Sequence, residues 1–138
     1  MKVLLDTHLI LWWLSDSPLL AAEARVLIGD PENTVFVSAV SVWEIWLKES
    51  LGKLRLPPDF EQKLAVASFE SLPLTAEHAR QAASLPWHHR DPFDRMLVAQ
   101  AKVEKLTLLT ADEIVKAYGD FVRLVRSPAK VTGRGPEL

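Results

Sequence analysis

Four carboxylates in this chain sit at positions where an acid has to be explained. Asp6 directly follows the apolar run Val3-Leu4-Leu5, and Glu44 is the single charge in VSVWEIWL. Asp94 lies in RDPFDRMLVAQA, just after Asp91, and Asp112 ends LTLLTAD, shortly after Thr110. Each has a plain structural reading. Asp6 and Asp112 would cap helices that begin after them, and Asp94 would favour the dipole of a helix capped by Asp91. Ser41-x-x-Glu44 has the spacing of a capping box, although that needs a helix starting later than Val37-Ser38 suggests. Glu44 is the least comfortable of the four. On a helix it shares a face with Val40, Leu47 and Leu51, where a carboxylate must be paired, protonated or bound to a cation. If the fold gathers these acids, their repulsion calls for a hard divalent cation that prefers oxygen, Mg²⁺ or Mn²⁺. An acidic metal pocket in turn suits an anionic substrate such as a phosphodiester. Thr110 could donate its hydroxyl to one of the carboxylates or to a bound water.

The elements that must do the gathering alternate between strand and helix. Strands are predicted at Val3–Leu5, Thr34–Val37, Leu72–Leu74 (weakened by Pro73), Leu106–Leu109 and Val122–Val125. Helices are predicted over Leu9–Leu14, from Ser17-Pro18 to Ile28, Ala39–Leu51, Asp59–Phe69, from the cap Thr75 to Leu85, from the cap Asp91 with Pro92 at the first helical position to Lys105, and near Glu113–Tyr118. The last residues, 127–138, carry two Gly, two Pro and few apolar side chains, and read as a disordered tail. The alternation predicts a parallel sheet with helices on both faces, whose site lies beyond the carboxyl ends of the strands. Asp6 and Asp112 follow strands, and Glu44 and Asp94 fall in early turns of helices. Parallel topology would bring all four to one edge.

Composition narrows the choice. A chain of 138 residues, 49% hydrophobic and 25% charged, fits one folded domain rather than disorder throughout. It has no cysteine, which excludes thiolate zinc, iron–sulfur and cysteine-nucleophile chemistry. A net charge of −2 argues against a general polycation, yet setting the four acids aside turns −2 into +2 and leaves the remainder slightly basic. No apolar run reaches the ~20 residues of a membrane span. Asp6 and His8 interrupt the N-terminal apolar stretch and no small-residue cleavage site follows, so a mature cytoplasmic protein is expected. Dinucleotide, P-loop and nucleophile-elbow glycine motifs are missing, and His88-His89 is not the spaced pair of a zinc helix. A dehalogenase-type phosphatase would need an acid where His8 stands, and a receiver domain would need one where Thr75 follows the third strand.

The segments VLLDTHLILWWL, SVWEI, HRDPFDRMLVAQA and LLTAD, in that order, resemble the PIN-domain ribonucleases and, within them, the VapC toxins of bacterial and archaeal toxin–antitoxin pairs. The likeness runs from Met1 to Val125. It implies an α/β fold, a three-layer α/β/α sandwich around a short, mostly parallel sheet, with the PIN domain over residues 1–126. It implies Asp6, Glu44, Asp94 and Asp112 as the catalytic, metal-binding set, Thr7 and Thr110 as supporting hydroxyls, and Asp91 as structural. The implied activity is Mg²⁺- or Mn²⁺-dependent endoribonuclease cleavage that leaves a 5′-phosphate and a 3′-hydroxyl. The implied partners are a VapB antitoxin, RNA, and a second copy of the chain. Arg90 and Arg95, with His88 and His89, lie near the acids in sequence and are either contacts to RNA phosphates or ordinary surface charge. The five tryptophans divide between core and interface, with Trp12 or Trp13 expected at an interface. The alternative function is a catalytically silent PIN-like module that binds RNA or protein.

Overall fold

Val3, Leu4 and Leu5 are wholly buried, and alternate residues of their strand enter two different cores. This is the signature of a sheet covered on both faces. The computed structural model describes residues 1–126, and the expected disordered tail, 127–138, lies outside the described residues. The elements are β1 (Lys2–Leu5), α1 (Thr7–Leu14), α2 (Ala22–Gly29), β2 (Thr34–Ser38), α3 (Ala39–Ser50), α4 (Phe60–Val66), β3 (Glu70–Leu72), α5 (Ala76–Ser84), α6 (Pro92–Glu104), β4 (Thr107–Thr110), α7 (Glu113–Lys116) and β5 (Val122–Leu124). The strands form one parallel sheet in the order β3-β2-β1-β4-β5. Val3 pairs with Val35 of β2 and Leu4 with Leu108 of β4.

Val3, Leu5, Val35, Val37 and Leu109 face a core built with Leu9, Ile10 and Leu14 of α1, Ala24 and Ile28 of α2, Ile45 of α3 and Phe60 of α4. Leu4 and Leu108 face a second core with Ala82 of α5, Leu97, Val98 and Ala101 of α6 and Val115 of α7. The result is the expected three-layer sandwich. β1 lies at the centre, and the chain leaves it toward β2 on one side and β4 on the other. The carboxyl ends of β1 and β4 therefore flank the topological switch point, where parallel sheets open a crevice.

Several boundaries differ from those predicted. α1 begins at Thr7, directly after its cap Asp6, not at Leu9. The helix expected from Ser17-Pro18 begins at Ala22, because Ser17–Leu20 form a turn. α4 stops at Val66, where Ala67 turns extended. β3 ends at Leu72, before Pro73, whose missing N–H cannot continue the ladder. Trp12 and Trp13 both pack half-buried on the first core. Trp46 meets Phe60 edge-on at 6.0 Å, whereas Trp43 is exposed.

Candidate metal centre

The rim of the sheet is built by caps. Asp6 ends β1 in an extended conformation, and its Oδ1 accepts the His8 N–H at 3.0 Å, starting α1. Its Oδ2 accepts the Thr110 hydroxyl at 2.6 Å, across from the end of β4. Thr110 Oγ1 also accepts the Asp112 N–H at 3.1 Å. Asp112 in turn caps α7 through Oδ1, which accepts the Ile114 N–H at 2.9 Å, and points Oδ2 at His89 Nε2, 3.2 Å away. One oxygen of each acid thus secures a helix start while the other joins the rim, so the capping and cluster readings are both met.

Asp94 occupies the third position of α6. Asp91 caps this helix, accepting the N–H groups of Phe93 (2.8 Å) and Asp94 (3.4 Å). A capping box would need Asp94 to reach back to the Asp91 N–H, but that N–H donates to His89 Nδ1 at 3.1 Å. The same bond makes Nδ1 an acceptor, so the proton of the neutral imidazole resides on Nε2. Nε2 lies 3.0 Å from Asp94 Oδ2 as well as 3.2 Å from Asp112 Oδ2. One ligand atom each from His89, Asp94 and Asp112 falls within 4.8 Å of the others.

Glu44 enters from α3. The cap of that helix is Ser38, whose side chain accepts the Val40 N–H, so Ser41 and Glu44 do not form a capping box. Glu44 is only 3% exposed. Its Oε1 accepts the Thr7 hydroxyl at 2.8 Å, and its Oε2 meets Lys48 Nζ at 3.1 Å. Thr7 Oγ1 also lies 2.9 Å from Ser41 Oγ. The buried carboxylate is therefore paired, as its apolar surroundings require.

The electrostatics show how closely the acids gather. Burial, followed by the charges of Asp6, Asp91, Glu44 and Asp112, pushes the Asp94 carboxyl up to about 9. Burial also opposes ionisation of Asp6, but hydrogen bonds from His8 and Thr110 and the charge of His8 outweigh it, and Asp6 is held below the usual carboxylate range. His8 is desolvated too, yet Asp6 and Glu44 raise it above the ordinary histidine value. One acid of this cluster thus carries a proton that a cation of double charge would replace. With Nδ1 accepting and Nε2 protonated, His89 orients the acids rather than offering a lone pair, and the oxygen donors of the carboxylates suit Mg²⁺ or Mn²⁺.

Of the four expected acids the structure groups Asp94 and Asp112 with His89, while Asp6 and Glu44, held by Thr110 and Thr7, stand outside that group and reach Asp94 through their charge. Arg95 does not serve as expected. It is 4% exposed, and its guanidinium donates to the carbonyls of Ala82 (2.7 Å), Pro86 (2.9 Å) and Leu85 (3.2 Å), clasping α5 to α6. It is therefore not available as a phosphate contact, whereas Arg90 is exposed. The site roles that sequence reasoning passed over are those of Ser41, Lys48 and His8. Lys48 was detectable as the partner one helical turn beyond Glu44.

An α/β sandwich that gathers carboxylates at its switch point offers oxygen donors to a hard cation. Comparison with known families makes this specific: the PIN domain matches residues 3–120, and the chain belongs to the PIN domain family. No curated protein matches the chain. Among solved structures it is similar to VapBC2 from Rickettsia felis bound to a promoter DNA fragment (17% identity, TM-score 0.67, covering 90% of this chain and 97% of that one). It is also similar to a toxin–antitoxin complex from Klebsiella pneumoniae (17%, 0.64, 91% and 98%) and to VapBC-5 from Mycobacterium tuberculosis (25%, 0.59, 91% and 98%). Among the described residues no helix is long and apolar enough to cross a membrane.

Proposed function

We propose that the chain is a divalent-cation-dependent endoribonuclease, the cytoplasmic toxin of a VapBC-type pair. The observation that carries this reading is the grouping of Asp94 and Asp112 with His89 at the carboxyl edge, where burial and the charges of Asp6, Asp91, Glu44 and Asp112 push Asp94 up to about 9. Membership of the PIN family and the toxin–antitoxin character of the similar structures support it.

Asp6, Glu44, Asp94 and Asp112 would hold Mg²⁺ or Mn²⁺. Bound there, the cation would neutralise charge on the phosphoryl oxygens and make water a better nucleophile near neutral pH. The chain's own residues fix the acids. Thr110 holds Asp6, Thr7 and Lys48 hold Glu44, and His89 Nε2 bonds Asp112 while lying 3.0 Å from Asp94 Oδ2. Hydrolysis adds the water oxygen to phosphorus and breaks the O3′–P bond, leaving a 3′-hydroxyl and a 5′-phosphate. No protein side chain becomes covalently attached. In this reading exposed Arg90 would meet an RNA phosphate. A VapB-type antitoxin and a second copy of the chain are the protein partners of this reading.

The test is cleavage of structured and single-stranded RNA with Mg²⁺ or Mn²⁺ against EDTA, using wild-type protein and Asp6→Asn. Cleavage that needs the cation and vanishes in the variant supports the proposal. RNA binding without cleavage under any metal would favour the silent binding module instead.

A further inference from the structure

His89 is the one member of the candidate centre that no helix or strand carries. It lies between α5 and α6, where Trp87 and His88 form a turn. A side chain on such a segment keeps its direction only if the backbone beneath it is held. Here one hydroxyl takes both ends of the turn. Tyr118 Oη donates to the Pro86 carbonyl at 2.8 Å and accepts the His89 N–H at 3.1 Å. The Arg95 guanidinium supports it from behind, donating to the same hydroxyl at 3.2 Å and to the Pro86 carbonyl at 2.9 Å. The Tyr118 ring packs on the second core and meets His88 edge-on at 4.9 Å.

Tyr118 comes from the segment that also supplies Asp112. Asp112 caps the start of α7, and Tyr118 follows its end, with its N–H donating to the Val115 carbonyl at 3.1 Å. This segment therefore grips His89 twice. Tyr118 holds its backbone N–H, and Asp112 Oδ2 lies 3.2 Å from its Nε2. The third hold is the Asp91 N–H on Nδ1, from the residue that caps the helix of Asp94. His89 is thus tied at backbone and ring to the two segments that deliver Asp112 and Asp94.

We propose that Tyr118 is a positioning residue of the candidate centre, whose hydroxyl closes the Pro86–His89 turn and so holds the His89 ring against Asp112 and beside Asp94. This rests on the cation-site reading and adds the element that sets the spacing of two of its acids. Groups that orient the ligands of a metal in this way contribute to its affinity without touching it.

The test uses metal-free protein labelled with ¹⁵N at histidine, followed by Mn²⁺ titration, for wild type, Tyr118→Phe, His89→Ala and the double variant. Phenylalanine keeps the ring on the core and removes only the hydroxyl. The wild-type His89 ring should show a bare Nδ1 and a protonated Nε2. In Tyr118→Phe its signals should move toward those of a freely exchanging imidazole, while His78, buried in its own bonds to Thr75 and Glu104, keeps its shifts. Mn²⁺ should bind about fivefold more weakly to Tyr118→Phe, the worth of one hydrogen bond, and about 10- to 100-fold more weakly to His89→Ala. The double variant should bind no worse than His89→Ala. In the wild type itself, the His89 amide should exchange with deuterium far more slowly than a free peptide.

An unmoved His89 ring in folded Tyr118→Phe would overturn the proposal, as would a Tyr118→Phe penalty that persists without His89 or a wild-type His89 amide that exchanges freely. His78 shifting together with His89 would mark general loosening and overturn it too. A wild type that binds no Mn²⁺ would sink the cation reading and this proposal with it, a failure visible before any variant is compared.

Discussion

Titrating Mg²⁺ or Mn²⁺ into the protein at neutral pH should release close to one proton per chain. The Asp94 carboxyl is held up to about 9, so near pH 7 it lies roughly two units inside its protonated range. A cation that binds all four acids has to displace that proton, at a cost of about 3 kcal/mol near pH 7. Affinity should therefore rise about tenfold per pH unit across the neutral range and level off above about pH 9. Calorimetry in buffers of different ionisation enthalpy counts the proton directly. Asp94→Asn removes both the proton release and the pH slope. The variant also makes a stability prediction of definite sign. Folded Asp94 binds its proton more tightly than the unfolded chain, whose value is 3.8. Its contribution is therefore fully present at low pH and is lost as pH rises from the ordinary carboxylate range to about 9. Metal-free wild type should lose stability over that window and the Asp94→Asn variant should not, with a difference approaching about 4 kcal/mol near pH 7. A metal affinity that is flat with pH, and no proton released, would refute the claim that these carboxylates share one cation.

Asp6→Asn should abolish cleavage while the melting temperature stays close to wild type, because Asn caps a helix as well as Asp does and removes one charge from a crowded rim. Arg95→Ala should destabilise the fold by about 3 kcal/mol in urea unfolding, since the carbonyls of Ala82, Leu85 and Pro86 lose a buried donor; a loss under about 1 kcal/mol would contradict the clasp. Arg90→Ala should leave stability unchanged and reduce the salt slope of RNA binding by about one.

The strands and the carboxyl edge were legible because short apolar runs alternating with helical stretches leave few topologies. Val3-Leu4-Leu5 reads as a strand buried on both faces, and that alone places Asp6 at the rim. The helix boundaries were less legible where the competing signal was local. Ser17-Pro18 reads as a helix start, yet the chain turns there first, because Leu20 and Ala21 are drawn into the first core before α2 can begin. Arg95 was misplaced because adjacency to Asp94 says nothing of direction. One residue further along a helix turns the side chain by about a quarter of the circumference, here into the seam against α5. His89 was placed near the site but its role was not. Its bond to Asp112, beside Asp94, depends on the Asp91 N–H fixing its tautomer, a contact no spacing rule contains.

A helix cap and a metal ligand look like rival roles for one acid, but a carboxylate has two oxygens and this fold uses them separately. Asp112 shows it most clearly: Oδ1 accepts the Ile114 N–H, while Oδ2 faces His89 and Asp94. Capping places the acid where the strand ends, and the strand ends where the sheet opens, so the local rule and the site are one arrangement. Substitutions should separate the two oxygens. Asp112→Asn keeps the cap acceptor and loses the charge, whereas Asp112→Ala loses both. Cleavage should fall alike in the two variants, while urea unfolding should find Ala weaker than Asn by about 1 kcal/mol, the worth of the cap. Equal stabilities would mean that Oδ1 does not hold the start of α7, and the division of labour between the two oxygens would fail.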